Sequence, residues 1–237
     1  MNVELISWTK EPLMTCAKAA SVCYDSEPSL QVIKGCIKSG HHSVLEHASF
    51  TFKISGISRS CSHQLVRHII ASYSQQSQRY VTLDNPSWVL PTDYMPYNNE
   101  TERLEKIMLA SCEKSLEAYE EILELDNEKN NDTARCVLPN ATPTTIVVTM
   151  NIRTLMNFFN ERLCSRAERE IRQVALKMKK LVLNCPDITA DESEIFYNIF
   201  VPKCERYDVP FCPESAKNCC GRHKRLKEIV KEEYKSE

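Results

Sequence analysis

Glycine is scarce in this sequence of 237 residues, and that scarcity limits how the chain can hold a phosphate. The four glycines are Gly35, Gly40, Gly56 and Gly221, and neither G-x-G-x-x-G nor G-x-x-x-x-G-K-[ST] can be built from them. Folds that cradle nucleotide phosphates on a glycine-rich loop are therefore excluded. Any phosphate bound here must meet polar side chains or the amino end of a helix.

The composition is that of an ordinary globular protein, with 42% hydrophobic and 26% charged residues. The length suits one domain with a full core and a short appendage. A net charge of −2 gives no long-range attraction to nucleic acid or to an anionic membrane. No apolar run approaches the roughly 18 residues of a membrane span, and MNVELISWTKEP has no signal-peptide pattern. We expect a cytoplasmic protein without nucleic-acid or membrane partners.

Hydrophobic periodicity predicts a mixture of helices and a few separated strands. The predicted strands cover 48–54 and 144–149. Residues 72–79 are a polar stretch, residues 86–96 are a predicted loop, and Asp132 or Thr133 is a candidate cap for a short helix at Ala134-Arg135. Helices are predicted over 11–24, 29–39, 58–70, 100–126, 151–160 and 167–183. The pattern indicates an α+β fold, with a central antiparallel or mixed sheet flanked by helices. We expect one domain over 1–200 and a cysteine-rich, partly basic tail over 201–237.

A polar segment with two arginines begins in the last turn of the predicted helix at 58–70 and extends to residue 79. Arginines can hold a phosphate bidentately, serine and glutamine add neutral donors, and Gln64 lies one helical turn before Arg67. A solvated loop is the alternative, but such loops usually carry lysine and glutamate, and this one has neither. The polar residues are Arg67, His68, Ser72, Ser74, Gln75, Gln76, Ser77, Gln78 and Arg79.

A second polar group interrupts the apolar helix predicted from residue 151. Ion pairs at i,i+4 spacing with neighbouring glutamates explain Arg169 and Arg172, but they explain the asparagines and Arg162 less well. Buried asparagines would need hydrogen-bond partners. The members of this group are Asn151, Arg153, Asn157, Arg162 and Arg166.

Two further clusters carry weaker signals. The histidines around Glu46 lack the H-E-x-x-H spacing of a zinc helix, so a loop that lines a substrate pocket is favoured over a metal site. The tail has the pattern Cys-x7-Cys-x6-Cys-Cys without a C-x2-C pair, so free or oxidisable thiols are favoured over structural zinc. The residues concerned are His41, His42, Ser43, Glu46 and His47, then Cys204, Cys212, Cys219 and Cys220.

Together the clusters resemble the flavin-dependent thymidylate synthase family. Arg67-His68-Ile69, followed after seven residues by Ser77, is similar to the R-H-R-x7-S signature of that family. The order of the other motifs agrees over roughly residues 10–190. These motifs are Gln78-Arg79-Tyr80, His41…Glu46-His47, Arg135 before Leu138-Pro139, and Asn151-x-Arg153…Asn157…Arg162.

The resemblance implies a catalytic domain over 1–200 that forms a homotetramer with active sites between subunits. It implies that FAD, reduced by NADPH, supplies the hydride when methylenetetrahydrofolate donates a carbon to dUMP to make dTMP. His41 would lie on the folate side. By position, dUMP would meet Gln64, Leu65, Val66, Arg67, Gln75, Gln76, Ser77, Gln78, Arg79, Arg135 and Arg162. FAD would meet Ser43, Arg67, His68, Ile69, Gln75, Asn151, Ile152, Arg153 and Asn157.

These implied roles agree with the chemistry of the residues. Arg67, Arg79 and Arg135 can neutralise the phosphate dianion of dUMP locally. Arg162 would be catalytic, because an arginine beside uracil stabilises negative charge on the base, and no cysteine nucleophile is then required. Ser77 has no neighbouring base in the sequence, so we interpret it as a ligand donor.

Two positions depart from the family pattern. Ile69 replaces the second arginine of the signature and removes one cationic donor from the expected flavin site. Arg166 stands where some members carry a histidine, and we hypothesise that it partly compensates for Ile69. Two other functions stay open, namely another FAD- and nucleotide-binding oxidoreductase on the same scaffold, and a non-catalytic zinc-stabilised interaction module with a basic tail over 222–231.

Overall fold

The computed structural model describes residues 1–125, 131–206 and 208–233. It is an α+β fold with one four-stranded antiparallel sheet, which confirms the predicted class. The strands are β1 (Asn2–Trp8), β2 (Ser49–Ser58), β3 (Ala71–Gln75) and β4 (Pro143–Asn151), and their order in the sheet is β1-β2-β4-β3.

The helices within the described ranges are α1 (Pro12–Tyr24), α2 (Leu30–Lys38), α3 (Arg59–Leu65), α4 (Asn99–Leu125), α5 (Asn131–Ala134), α6 (Ile152–Arg162), α7 (Arg169–Leu183), α8 (Ala190–Ile199) and α9 (Leu226–Glu233). Short 3-10 turns cover His42–His47, Pro91–Tyr94, Arg135–Val137 and Lys203–Glu205. None of these helices is long and apolar enough to cross a membrane.

The chain departs from the prediction most clearly after Ser58. The hydroxyl of Ser58 caps α3 by accepting a hydrogen bond from the backbone N–H of Cys61 at 2.9 Å. The helix ends at Leu65, five residues earlier than predicted, and Ala71–Gln75 forms β3, where no strand was predicted. The polar composition of this strand concealed it, although its residues alternate between half-buried and exposed positions.

Other differences concern elements without a strong apolar pattern. β1 and α8 were not predicted, and the short helix α5 begins at Asn131, so neither Asp132 nor Thr133 caps it. The long predicted helix is confirmed as α4, and its predicted last residue, 126, lies outside the described residues.

Close contacts divide the chain into two compact units. The first unit comprises Met1–Val3, Lys53–Arg67 and Tyr73–Val148, and the second comprises Glu4–Phe52, His68–Ser72 and Thr149–Glu237. The boundary expected between residues 200 and 201 stays a prediction.

Each unit has its own core. In the first unit, the buried Tyr119 of α4 donates its hydroxyl to the side-chain oxygen of Asn131 at 2.9 Å. The second unit contains an aromatic cluster in which the ring centroids of Phe159 and Phe200 lie 4.7 Å apart and those of Phe196 and Phe200 lie 5.2 Å apart. Buried rings of this kind supply much of the apolar area that stabilises a core.

Candidate functional site

The start of α6 is set by a polar residue of the predicted flavin group. The side-chain oxygen of Asn151 accepts a hydrogen bond from the N–H of Thr154 at 2.8 Å, and this cap turns β4 into α6. Ile152 is buried, whereas Arg153 and Asn157 are exposed one helical turn apart. Arg153 forms an ion pair with Glu46, so the loop at 42–47 and this face of α6 are brought together.

The last turn of α6 holds the predicted catalytic arginine. Arg162 donates a hydrogen bond from Nε to Nε2 of His68 at 2.9 Å. The imidazole of His68 packs edge-on against Phe158, with ring centroids 4.9 Å apart. The structure therefore joins the second residue of the R-H motif to an arginine that follows it after 93 intervening residues in the sequence.

His68 is neutral at physiological pH. Burial and the positive charge of Arg162 together lower its pKa to about 4, and the negative charge of Glu161 acts in the opposite direction. An arginine Nε–H can only donate, so Nε2 of His68 must be the acceptor and the ring proton belongs on Nδ1. Arg162 therefore donates this hydrogen bond to an uncharged partner.

Two large apolar side chains follow His68 on the surface. Ile69 is 79% exposed and Ile70 is 75% exposed, while the hydroxyl of Thr154 donates to the carbonyl of Ile70 at 2.8 Å. The backbone is thus held in place while both side chains face outward. Adjacent exposed isoleucines are typical of surfaces that contact a ligand or another protein chain.

In the first unit, one carboxylate holds two of the predicted phosphate-binding arginines. Nε of Arg79 lies 2.8 Å from Oδ1 of Asp132, and Nη2 of Arg135 lies 3.2 Å from the same oxygen. The hydrogen bond to Asp132 and its negative charge raise the pKa of Arg79. The three groups together carry one net positive charge and remain partly exposed to solvent.

A third arginine belongs to this cluster. Burial lowers the pKa of Arg59, and the positive charge of Arg135 lowers it further. Arg59 is the first residue of α3, and its N–H donates to the carbonyl of Thr142 at 3.0 Å. Three guanidinium groups and one carboxylate in the same unit make a local basic cluster in a chain whose net charge is −2.

The glutamine and serine residues of the polar segment make short local contacts. Nε2 of Gln75 donates to the hydroxyl of Ser62 at 2.8 Å and to that of Thr144 at 3.3 Å. The N–H of Gln76 donates to the carbonyl of Thr145 at 2.9 Å, and the N–H of Arg79 donates to the Ser77 hydroxyl at 3.2 Å. Ser77 is therefore a turn-forming acceptor here, and its role as a ligand donor stays a prediction.

The other predicted dUMP residues lie at the end of α3 and just after it. Leu65 is buried, and its carbonyl accepts a hydrogen bond from the hydroxyl of Tyr73 at 2.9 Å. Burial raises the pKa of Tyr73 to about 12, so the hydroxyl stays protonated and can donate. Gln64 and Gln78 are half-buried, and Val66 and Arg67 are exposed.

The remaining predicted residues line the surface of the second unit. Ser43 and His41 are exposed, and His41 lines a shallow cavity of about 250 Å³ beside the carboxyl end of α2. Arg166 and Arg162 line a second cavity of about 300 Å³. The tail supplies other residues of that lining, including Cys204, Cys212 and Cys220. Cys219 lies beside Cys212.

Comparisons with known proteins show the family of this chain. The family model described as thymidylate synthase complementing protein matches residues 4–185. The chain belongs to this family. A protein of Clostridium tetani named flavin-dependent thymidylate synthase is 36% identical over 97% of this chain and 96% of its own length. The protein of that name from Nitratidesulfovibrio vulgaris is 40% identical over 94% of this chain and 95% of its own length. That from Pyrococcus furiosus is 38% identical over 90% of each chain.

Two residues of the basic cluster, Asp132 and Arg59, were not predicted from the sequence as part of it. Asp132 was interpreted only as a helix cap, and Arg59 only as part of an amphipathic helix. A signal for Asp132 existed, because Asp132 and Arg135 have the i,i+3 spacing of a helical ion pair. Arg59 gave no comparable signal, because its neighbour Arg135 is distant in sequence.

Proposed function

We propose that the chain is a flavin-dependent thymidylate synthase, a methyltransferase that converts dUMP to dTMP. Methylenetetrahydrofolate donates the carbon, and FAD reduced by NADPH supplies the hydride that completes the methyl group. The observation that carries this proposal is the hydrogen bond from Arg162 to a neutral His68. It joins a histidine of the family signature to a charged donor, and this acceptor carries no charge.

Arg162 is the residue that activates the pyrimidine. Carbon–carbon bond formation at C5 of uracil requires negative charge on the base, and a guanidinium beside the ring stabilises that charge in the transition state. A carboxylate partner would cancel part of the positive charge of Arg162, whereas neutral His68 fixes its direction without doing so. Activation by charge requires no covalent bond from the protein to the base.

The phosphate of dUMP is bound by the arginine cluster of the first unit. Arg79 and Arg135 are oriented by Asp132, and each guanidinium has five N–H donors, so the bond to the carboxylate does not exhaust them. A phosphate dianion carries twice the charge of a carboxylate and matches the planar guanidinium in bidentate geometry. The exposed Arg67 and the residues Gln75, Gln76, Ser77 and Gln78 complete the nucleotide contacts.

The residues expected to bind FAD fit a flavin nucleotide in their chemistry. The exposed Ile69 and Ile70 offer apolar contact to a planar ring system. Arg153, Asn157 and the amino end of α6 offer charge and hydrogen bonds to a pyrophosphate. Ser43 and His68 add polar contacts, and His41 lies on the folate side.

Arg166 partly replaces the arginine that Ile69 displaces. Arg166 is exposed and lines the same cavity as Arg162. Arg166→Ala should raise the dissociation constant for FAD about tenfold, the loss of one charge-assisted hydrogen bond. Flavin fluorescence quenching measures this constant, with the exposed Arg169→Ala as the matched control. Unchanged FAD affinity and turnover in Arg166→Ala would refute the compensation.

The assembly and its setting follow from the same assignment. We infer a cytoplasmic homotetramer with active sites between subunits, in which residues 1–200 form the catalytic domain and 201–237 an appended tail. Analytical ultracentrifugation at assay concentration tests the assembly, and a fully active monomer would contradict it.

Release of tritium from C5 of labelled dUMP tests the proposed reaction. Release is expected with FAD, NADPH and methylenetetrahydrofolate together, and its loss is expected when FAD is removed. If flavin binds and NADPH is oxidised without tritium release, the chain is a different flavin oxidoreductase and the proposal fails.

A further inference from the structure

The tail places three metal-binding side chains together, and two of them line the cavity that Arg162 also lines. Cys204 and Glu205 belong to the 3-10 turn Lys203–Glu205, and His223 comes from the loop before α9. One ligand atom from each of the three lies within 4.8 Å of the other two. Thiolate, imidazole and carboxylate are the three ligand types that zinc takes from proteins.

The imidazole of His223 supplies a second observation. Its Nε2 atom is buried and has no hydrogen-bond partner within the part of the chain that the structure describes. The nearest carboxylate oxygen, Oε1 of Glu205, lies 3.5 Å away, too far for a good hydrogen bond. A buried nitrogen of this kind costs free energy, and a cation bound to it would satisfy it.

The backbone around the three residues is fixed by contacts within the tail. The N–H of Cys212 donates to the carbonyl of Lys224 at 2.9 Å, and Cys212 forms a β-bridge with Arg225. Lys203 forms ion pairs with Glu161 at 3.0 Å and with Glu214 at 3.1 Å. Those contacts hold the loop that carries His223 and the turn that carries Cys204 before any metal binds.

Glu205 also has a competing partner. Nη1 of Arg222 lies 2.8 Å from its Oε1 atom. A carboxylate has two oxygens, so Glu205 can keep Arg222 on one of them and bind a cation through the other. Cys164 and Cys212 line the same cavity as Cys204 and His223, so the cavity offers further sulfur atoms for a fourth ligand.

We propose that Cys204, Glu205 and His223 bind one zinc ion that fastens the tail of this protein over the cavity beside Arg162. Among the four tail cysteines named from the sequence, this assignment makes Cys204 a ligand and leaves the Cys219-Cys220 pair outside the three-residue set. The zinc links residues 204–205 to residue 223 and so closes the intervening loop. The site is independent of the proposed reaction, because its ligands are not among the substrate-binding residues.

Metal content and cobalt spectroscopy test the assignment on the full chain. After dialysis against a zinc buffer under reducing conditions, mass spectrometry should find about one zinc ion per chain. Cobalt substitution should give the charge-transfer absorption of a thiolate ligand and the visible bands of tetrahedral Co²⁺. Absence of bound zinc, or a cobalt spectrum without a thiolate band, would overturn the proposal.

Variants identify the ligands. His223→Gln and Glu205→Gln alter partly exposed side chains, so they keep the fold, and each should weaken zinc binding at least about 100-fold, as should Cys204→Ser. The matched control is Cys23→Ser, which removes an exposed thiol outside the tail and should bind zinc as the wild type does. If His223→Gln and Glu205→Gln retain wild-type affinity while Cys212→Ser or Cys219→Ser loses it, the ligand set proposed here is wrong.

Discussion

Two regions of the molecule use arginine in opposite ways. Arg162 donates to a histidine that burial keeps uncharged, so its positive charge is not cancelled by that partner. Arg79 and Arg135 share the single carboxylate of Asp132 at a partly exposed site. Under the proposed function, the first arrangement would stabilise negative charge that forms during the reaction, and the second would orient positive charge toward a ligand that is already anionic.

Loss of the positive charge of Arg162 should have the largest effect on activity. Arg162→Ala should lower the turnover number about 10²- to 10³-fold, because the stabilisation of charge on the base is lost in the transition state. Single-turnover tritium release measures this step. Arg169→Ala, an exposed arginine in α7, is the control and should stay near wild type. Near-normal turnover in Arg162→Ala would remove its catalytic role.

Loss of Arg79, one of the two arginines paired with Asp132, should weaken dUMP binding rather than lower turnover. Arg79→Ala should raise KM for dUMP roughly 10- to 100-fold, as expected for one charge-assisted contact to phosphate. The turnover number should stay within about twofold of wild type. The exposed Arg103→Ala in the same unit is the control. A fall in turnover with unchanged KM would show that both regions act on the same step.

The neutrality of His68 should appear as a pH-dependent stability. The pKa of His68 is about 4 in the folded chain, against the ordinary histidine value of 6.5 that applies once the chain unfolds. The unfolded chain therefore binds a proton that the folded chain refuses between these values, so the stabilisation is complete above pH 6.5 and is lost as the pH falls toward 4. For a partly exposed ring, the expected loss of unfolding free energy between pH 7 and pH 5 is about 1 kcal/mol.

Urea unfolding at the two pH values measures this loss. His68→Gln keeps an acceptor for Arg162 but cannot titrate, so its unfolding free energy should fall by about 1 kcal/mol less than that of wild type. His63→Gln, at an exposed position of α3, should behave as wild type does. An identical pH dependence in wild type and His68→Gln would show that His68 is not held neutral.

The smallest effect is expected at the shared carboxylate. Asp132→Asn keeps a hydrogen-bond acceptor for Arg79 and Arg135 but removes one negative charge. Affinity for dUMP should rise about two- to fivefold at low ionic strength and return to the wild-type value at high salt. Isothermal titration at two salt concentrations measures the change. Weaker dUMP binding at low salt would mean that orientation by Asp132 matters more than net charge.

Prediction succeeded where the signal was local. The amphipathic pattern of 100–126 identified α4, and the apolar, β-branched run at 144–149 identified β4. Prediction failed where polar residues form regular structure, as in β3. This strand lies at the edge of the sheet, and its alternation becomes recognisable only when β4 lies beside it. The start of α6 was found within one residue, because Asn151 is both a polar interruption and a helix cap.

The sequence by itself determined the kinds of groups available. Four glycines excluded a phosphate loop, and the ordered motifs from His41 to Arg162 carried the family assignment. Only the tertiary structure decided which charged and neutral groups lie next to one another. It paired Arg162 with His68 and placed Asp132 between Arg79 and Arg135. Charge interactions depend on distance and burial, and residues far apart in sequence acquire these properties only when the chain folds.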